Sequence, residues 1–380
     1  MPRLLVIADD LTGAAEIGGL ATRFGLSTQL LRTAAPPPTS CDCVVYDTDS
    51  RLLPANKAAE KTAAFALAAK AGAFDLVFKK TDSVLRGEPF VEIAAVAERF
   101  GRADVLFVPH NPSRDRCVRD GRYTVGGVPL HRTDFARDPT HPARTDDVIT
   151  LLRPPAGHAL RSVSLDEQNT AGWVIGEAST PDDIADWAER LDPVRQLAAG
   201  GADFFEAIVR RARRNKPAAF LSGLPRPLLY VSGTTSRVNE TFRQTLRDNG
   251  QFLPMPAEVF ERGDTGDSIW PWAKQATAAL QKHGVAMVAV GEPPAGVAGD
   301  ADRIGRALAA VAARVAQAGH VATIACEGGA TAAALCDFVG WQRFTVDGEI
   351  ATGIVCLRLR SDGHGLRLVV KPGSYAWPAI

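Results

Sequence analysis

No CxxC pair occurs among the six cysteines: only Cys41 and Cys43 lie close together, and Cys117, Cys326, Cys336 and Cys356 are scattered. This spacing excludes a zinc ribbon and offers no disulfide framework, so the thiols read as reduced core residues. An excess of either charge is lacking too, with 43 Lys and Arg against 43 Asp and Glu. There is no basic stripe interleaved with aromatics, so no nucleic-acid surface is expected and the partners should be small molecules. No apolar run is long enough for a membrane span. The longest candidate, 307–326, is interrupted by Arg314, Gln317, Gly319 and His320, the pattern of a helix followed by a strand. The first strand pattern begins within about three residues of the start, leaving no room for a signal peptide, so a cytoplasmic protein is expected.

What the chain has is 46% hydrophobic residues over 380 positions, enough for two domains with separate cores. Apolar runs at 4–7, 43–48, 75–80 and 105–109 alternate with helical patterns over about 13–24, 55–71 and 88–100. That βαβ series predicts an α/β fold with a mostly parallel sheet flanked by helices. Periodicity is lost from 110 to about 160, and an irregular stretch of that length inside a domain reads as a lid or substrate loop. Regularity returns with a strand at 173–178 and helices over about 181–191 and 201–214. The segment 215–227, with three prolines and one glycine, reads as a linker. It sets domain boundaries of 1–220 and 228–380. The second domain repeats the α/β logic through LLYVSG, a helix over about 237–249, MVAVGE, a helix over about 301–318, VATIACEGG and a helix over about 330–338. It ends in the strand-like runs GIVCLRLR and LRLVVKPGS.

Three strand ends in the first domain carry polar clusters: Asp9-Asp10, then Asp47 to Arg51, then Lys79 to Ser83 with Arg86 beyond. In open α/β sheets ligands bind outside the carboxyl ends of the strands, so the three clusters are placed to line one crevice. Arg51, Lys80 and Arg86 suit a carboxylate, while Asp10, Asp82 and Ser83 suit hydroxyls, a pairing that describes a polyhydroxy acid. Each cluster on its own could be an ordinary cap or turn, Asp10 capping the following helix among them.

In the second domain Ser232-Gly233-Thr234-Thr235-Ser236 and Glu327-Gly328-Gly329-Ala330-Thr331 each join a strand to a helix. Both place small residues and free amides at a helix N-terminus, as phosphate sites do. Lys371-Pro372-Gly373-Ser374 adds a cation and a turn. Neither the P-loop pattern nor GxGxxG is present, so these are not standard nucleotide loops.

Taken in order, IADDLTGA (7–14), DTDSR (47–51), KKTDSVLRG (79–87), VSGTTS (231–236), EGGATAA (327–333) and KPGSY (371–375) resemble the four-carbon acid sugar kinase family over nearly the whole chain. The loop at 121–142 is similar to that family's long substrate-domain loop. The resemblance implies a sugar-acid domain followed by an ATP-binding domain, with ATP and Mg2+ phosphorylating the terminal hydroxyl of threonate, erythronate or 3-oxo-tetronate in the cleft between them. By motif, Asp9, Asp10, Arg51 and Lys80, Thr81, Asp82 and Ser83 correspond to substrate positions. Ser232, Gly328, Gly329, Ala330, Thr331 and Gly373 correspond to ATP positions, to which the residue pattern adds Gly233, Thr234 and Lys371. The chain departs from the family at Glu327, at Ala330 and at Trp377.

On this reading Arg51, Lys80 or Arg86 clamps the acid's carboxylate and either Asp10 or Asp82 takes the hydroxyl proton. Asp10 is favoured because a carboxylate beside Asp9 should have a raised pKa. The amides after Ser232 and Gly328, with Lys371, hold the triphosphate. No residue is assigned to Mg2+. Two rivals stay open: a sugar-acid sensor that has lost kinase activity, and a haloacid-dehalogenase-like phosphatase, which needs Asp-x-Asp rather than adjacent acids. A homodimer is common for metabolic enzymes of this size.

Overall fold

The computed structural model describes residues 3–378 except 139, 214–216, 235–236, 264–265, 292–299, 320, 361–364 and 374. Thr235, Ser236 and Ser374 of the strings above therefore lie outside the described residues. The chain divides into two compact units, 1–218 and 219–380.

In the first unit the apolar runs form β1 (Leu4–Ala8), β2 (Thr28–Leu31), β3 (Cys43–Asp47), β4 (Leu76–Lys80) and β5 (Asp104–Val108). The segment read as irregular folds into a three-stranded hairpin sheet, β6 (Arg116–Arg119), β7 (Arg122–Val125) and β8 (Val128–Pro129), followed by β9 (Leu160–Val163). β10 (Trp173–Gly176) and β11 (Gln196–Gly200) complete the unit's strands. The main sheet runs β2-β3-β1-β4-β11-β5-β10-β9, parallel throughout.

Such a sheet must be covered on both faces. One face packs against α2 (Ala55–Ala69) and α3 (Pro89–Phe100), with Tyr46, Val77, Ile93, Val96 and Phe107 in its core; Tyr123 and Leu130 from the hairpin region join the same core. On the other face Phe78 meets Phe204 and Phe205 of α6 (Ala202–Arg213), with ring centroids 6.1 and 5.2 Å apart. α1 (Leu11–Arg23) packs on α6, and α5 (Pro181–Arg190) packs beside it; the short α4 (Val148–Leu152) precedes β9. β1 lies between β3 and β4, so the strand order reverses there and a crevice opens at its carboxyl end.

The second unit has β12 (Leu228–Ser232), β13 (Phe252–Pro254), β14 (Val285–Ala289), β15 (Thr323–Glu327), β16 (Arg343–Ala351), β17 (Ile354–Leu359) and β18 (Arg367–Lys371). β13-β14-β12-β15-β18 are parallel, with β17 and β16 added antiparallel. α7 (Glu240–Asp248), α8 (Ala257–Arg262), α9 (Gly266–His283), α10 (Ala301–Gln317) and α11 (Gly329–Val339) accompany the sheet. β12 is the point of reversal here, flanked by β14 and β15. Among the described residues no helix is long and apolar enough to cross a membrane.

His110, two residues beyond β5, is fully buried beside Tyr123, and neither ring nitrogen has a hydrogen-bond partner among the described residues. Burial pushes its pKa down to about 3, so the native imidazole is neutral where an unfolded one would be protonated. The unfolded chain then binds more protons below pH 6.5, and stability present above that value is lost as pH falls towards 3. Between pH 6.5 and 4 the native protein is expected to lose about 1.4 kcal/mol per pH unit more than His110→Leu, read from urea midpoints. Equal slopes would refute it.

Candidate functional site

Asp9 and Asp10 follow β1 and meet one guanidinium. Arg51 donates from Nε to Asp9 Oδ2 at 2.7 Å and from Nη2 to Asp9 Oδ1 at 2.9 Å. It also donates from Nη1 and Nη2 to the two Asp10 oxygens, both at 2.7 Å. Four of its five N–H bonds are thus spent on the pair, and Nη1 lies 3.7 Å from Asp82. The backbone supports the geometry, since Ser50 and Arg51 both donate their N–H groups to the Asp9 carbonyl. Asp10 also caps α1, accepting from the Gly13 N–H at 2.8 Å. A side chain at Gly13 would put its Cβ 2.8 Å from Asp10 Oδ1 and 3.3 Å from Lys80 Nζ, which is why glycine stands there. The cap moves the helix start to Leu11, two residues before the sequence pattern places it.

The two carboxylates are unequal. Burial works to raise Asp9, but the charge and hydrogen bonds of Arg51, with Lys79 and Lys80, outweigh it and hold Asp9 below the ordinary carboxylate value. Asp10 lies above that value, chiefly through burial, with the charge of Asp9 adding to it against Arg51. The Asp10 side chain keeps 20% of its surface exposed against 4% for Asp9 and 8% for Asp82. It is the most accessible acid of the three.

Lys80 stays on the α1 side, 3.6 Å from Glu16 and donating to the Thr81 carbonyl. Lys79 points to the opposite face and pairs with Glu92 of α3 at 2.8 Å, fully buried; Ser50 also donates to Glu92. Asp82 accepts from Arg86 through Nε at 3.0 Å and Nη2 at 2.8 Å, and from the N–H groups of Val84 and Arg86. Against burial, the charges of Arg86 and Arg51 hold Asp82 well below the usual carboxylate range. Arg86 reaches Asp138 as well, at 3.4 Å. Thr81 Oγ1 is buried without a partner among the described residues. The Ser83 hydroxyl receives Arg116 Nη1, and its carbonyl receives the Tyr123 hydroxyl.

All the substrate-site residues named from sequence therefore gather at the ends of β1, β3 and β4. The sequence reading missed Glu16, Glu92, Arg114, Arg116, Tyr123 and Asp138. Glu92 leaves a trace, being a carboxylate amid the buried Phe90, Ile93 and Val96 of one helix face. Glu16 is a polar residue of α1, and the others lie on loops, a short turn and short strands with no period to betray them.

In the second unit Glu327, at the end of β15, is buried among donors. It accepts from Ser232 Oγ at 2.7 Å, from Arg243 Nη2 at 3.2 Å and from Asn239 Nδ2, and lies 3.2 Å from Lys371 Nζ. Lys371 is itself fully buried and donates to the carbonyls of Pro372 and Tyr375. Burial lowers its pKa, with Glu327 working against the shift. The glycines allow close approach: a Cβ at Gly233 would sit 2.2 Å from Thr331 Oγ1, and Gly373 packs on Thr234 and Gly328. Ser232, Gly233, Thr234, Gly328, Thr331 and Gly373 thus come together beside the first turn of α11, which holds Gly329 and Ala330. The sequence reading missed Arg243 and Asn239.

Two domain families match this layout: a sugar-binding N-terminal domain over residues 4–207 and a nucleotide-binding C-terminal domain over 229–375. Together they define a phosphotransferase acting on a sugar acid. The chain belongs to the four-carbon acid sugar kinase family. D-threonate kinase of Cupriavidus necator is 29% identical over 92% of this chain and 89% of that protein. 3-Oxo-tetronate kinase of Methylobacterium radiotolerans is 25% identical over 97% and 95%. D-threonate kinase of Salmonella typhimurium is 32% identical, and its match spans 39% of this chain and 36% of that protein. The fold is shared with a Salmonella typhimurium LT2 structure provisionally called a tRNA synthase, with TM-score 0.82, 19% identity and coverage of 99% and 97%.

Removing Glu327 would leave Lys371 buried without its carboxylate and take one carboxylate from Arg243. Glu327→Ala is expected to cost about 3–5 kcal/mol in thermal unfolding, and Glu327→Gln less, because the amide oxygen still accepts. A loss under about 1 kcal/mol for the alanine variant would show that water replaces the carboxylate.

Proposed function

We propose that this kinase transfers the γ-phosphoryl group of ATP to the terminal hydroxyl of a four-carbon sugar acid: threonate, erythronate or 3-oxo-tetronate. The observation that carries the reading is the unequal acid pair after β1, in which Asp10 is the more accessible acid and has a raised pKa beside cations and hydroxyls. In the reaction the O4 oxygen attacks the γ-phosphorus, the bond from that phosphorus to the bridging oxygen of ADP breaks, and Asp10 accepts the O4 proton. Asp82 is the weaker candidate for base, being bound by Arg86 and depressed in pKa. Thr81 and Ser83, with Lys80, bind the acid's remaining oxygens, and Arg51 positions Asp10 rather than the substrate. The names of relatives that act on D-threonate and 3-oxo-tetronate support the substrate class.

The ATP phosphates lie, on this reading, against the amides of Gly233 and of Gly328 to Ala330, with Ser232, Thr331 and Gly373 shaping the turn. Lys371 acts from beneath. Among the described residues no cluster of three or more His, Cys, Asp or Glu side chains is available for a metal. Glu327, the carboxylate buried at the phosphate turns, is already engaged by Lys371, Arg243, Ser232 and Asn239. These residues do not fit a protein-built Mg2+ site.

Asp10→Asn is expected to lower kcat by about 10²–10⁴-fold with little change in KM for the acid. A base must be unprotonated, so turnover of the unmodified enzyme falls as pH drops through the raised Asp10 pKa. That acid limb should lie above the ordinary value of about 3.9 and be absent from the variant. Full turnover in Asp10→Asn together with none in Asp82→Asn would reverse the assignment.

A further inference from the structure

Among the described residues, the cations of the first unit's site named above are already committed, with one exception. Arg51 holds Asp9 and Asp10, Arg86 holds Asp82 and Asp138, and Lys79 holds Glu92. Lys80 and Arg114 lie 3.6 and 3.7 Å from the two oxygens of Glu16. Arg116, the first residue of the β6–β7 hairpin, differs from them. Among the described residues no carboxylate pairs with it, and its hydrogen bond runs to a neutral partner, the Ser83 hydroxyl.

Its setting is ordered. The guanidinium carbon stands 5.6 Å from the centre of the Phe135 ring. The Arg116 N–H donates to the Asn111 carbonyl. The hairpin is tied to the same loop by the Tyr123 hydroxyl on the Ser83 carbonyl. A half-buried guanidinium fixed by an aromatic ring and lacking a counter-ion is prepared for an anion with two oxygens. Ser83 adjoins Asp82, which lies 3.7 Å from Arg51, so Arg116 borders the same crevice as Asp10.

We propose that Arg116 binds the carboxylate of the sugar acid, making the β6–β7 hairpin the element that selects acids over neutral sugars. This rests on the sugar-acid reading above and adds a residue to it that the strand-end motifs do not contain. The expected arrangement puts the carboxylate on Arg116 and Ser83 and the far hydroxyl towards Asp10.

Calorimetric titration without nucleotide tests it, using D-threonate, D-erythronate and the uncharged amide of each, with the full-length protein and Arg116→Gln and Arg116→Lys variants. The unmodified protein should bind the better acid roughly 10- to 100-fold more tightly than its amide. Arg116→Gln should bring that ratio close to one while leaving amide affinity and melting temperature unchanged, and Arg116→Lys should restore part of the preference. An unchanged ratio in Arg116→Gln overturns the assignment, as does an equal loss for acid and amide, which marks a structural role. If the unmodified protein binds neither these acids nor 3-oxo-tetronate, the sugar-acid reading itself fails, and this assignment with it.

Discussion

One guanidinium held between two adjacent carboxylates sets the terms for the first unit. Asp9 and Asp10 stand where the central strand of a parallel sheet ends, and both cannot be charged there without compensation. Arg51 supplies it from the end of the neighbouring strand, through two forked pairs and a backbone tie to the Asp9 carbonyl. Arg51, with Lys79 and Lys80, holds Asp9 low against burial, while at Asp10 burial and the charge of Asp9 outweigh Arg51 and raise it. The two acids of the pair are therefore unequal in protonation as well as in access to water. Asp10 is both the helix cap, its Oδ1 accepting the Gly13 N–H, and the acid of raised pKa, burial and Asp9 outweighing that bond and Arg51.

The second unit uses the same device with the signs exchanged. Glu327 lies between Lys371 and Arg243, so one carboxylate faces two cations at the end of a strand next to the point of reversal. In the first cluster two carboxylates share one guanidinium, and in the second two cations share one carboxylate, with Arg243 also 3.9 Å from Glu240. Each cluster also joins strand ends that sequence separates widely: β1 with β3 in one unit, and β12, β15, β18 and α7 in the other.

Much of this was legible as residue types at strand ends. Asp9, Asp10, Arg51 and Lys80 to Arg86 stand out because polar residues abruptly follow apolar runs, and the parallel order then brings those ends together. Their partners were not legible. Whether Arg51 faces a ligand or an acid depends on register between strands, which a single sequence does not encode. The hairpin at 116–129 was hidden because its strands are at most four residues long, the first two carry Arg at their ends, and Gly121, Gly126 and Gly127 break the segment between them. β11, Gln196–Gly200, escaped because QLAAG lacks the β-branched and aromatic residues that mark strands. Its small residues serve contact instead, since a Cβ on Gly200 would lie 2.1 Å from the Val108 carbonyl oxygen. Glu327 was visible as a departure from the family pattern, but its role needs Arg243 and Asn239, which α7 supplies.

Beneath the acid pair lies a second layer that bears on what such a site requires. Lys79 and Glu92 are wholly buried, and Ser50 joins them from the loop that also presents Arg51. Thr48 closes the layer by donating its hydroxyl to the Ala8 carbonyl at 2.8 Å. Burying an ion pair costs desolvation that its attraction roughly repays, so the layer adds little net stability. It does add geometry: the ends of β1, β3 and β4 and the helix α3 are locked by directed bonds rather than by apolar contact, which tolerates sliding. Phosphoryl transfer asks little covalent work of a protein but is sensitive to placement of the accepting oxygen at the ångström scale. A charged layer that is nearly neutral in energy and strict in geometry is a reasonable answer to that demand, and it explains why so polar a network lies under an apolar sheet.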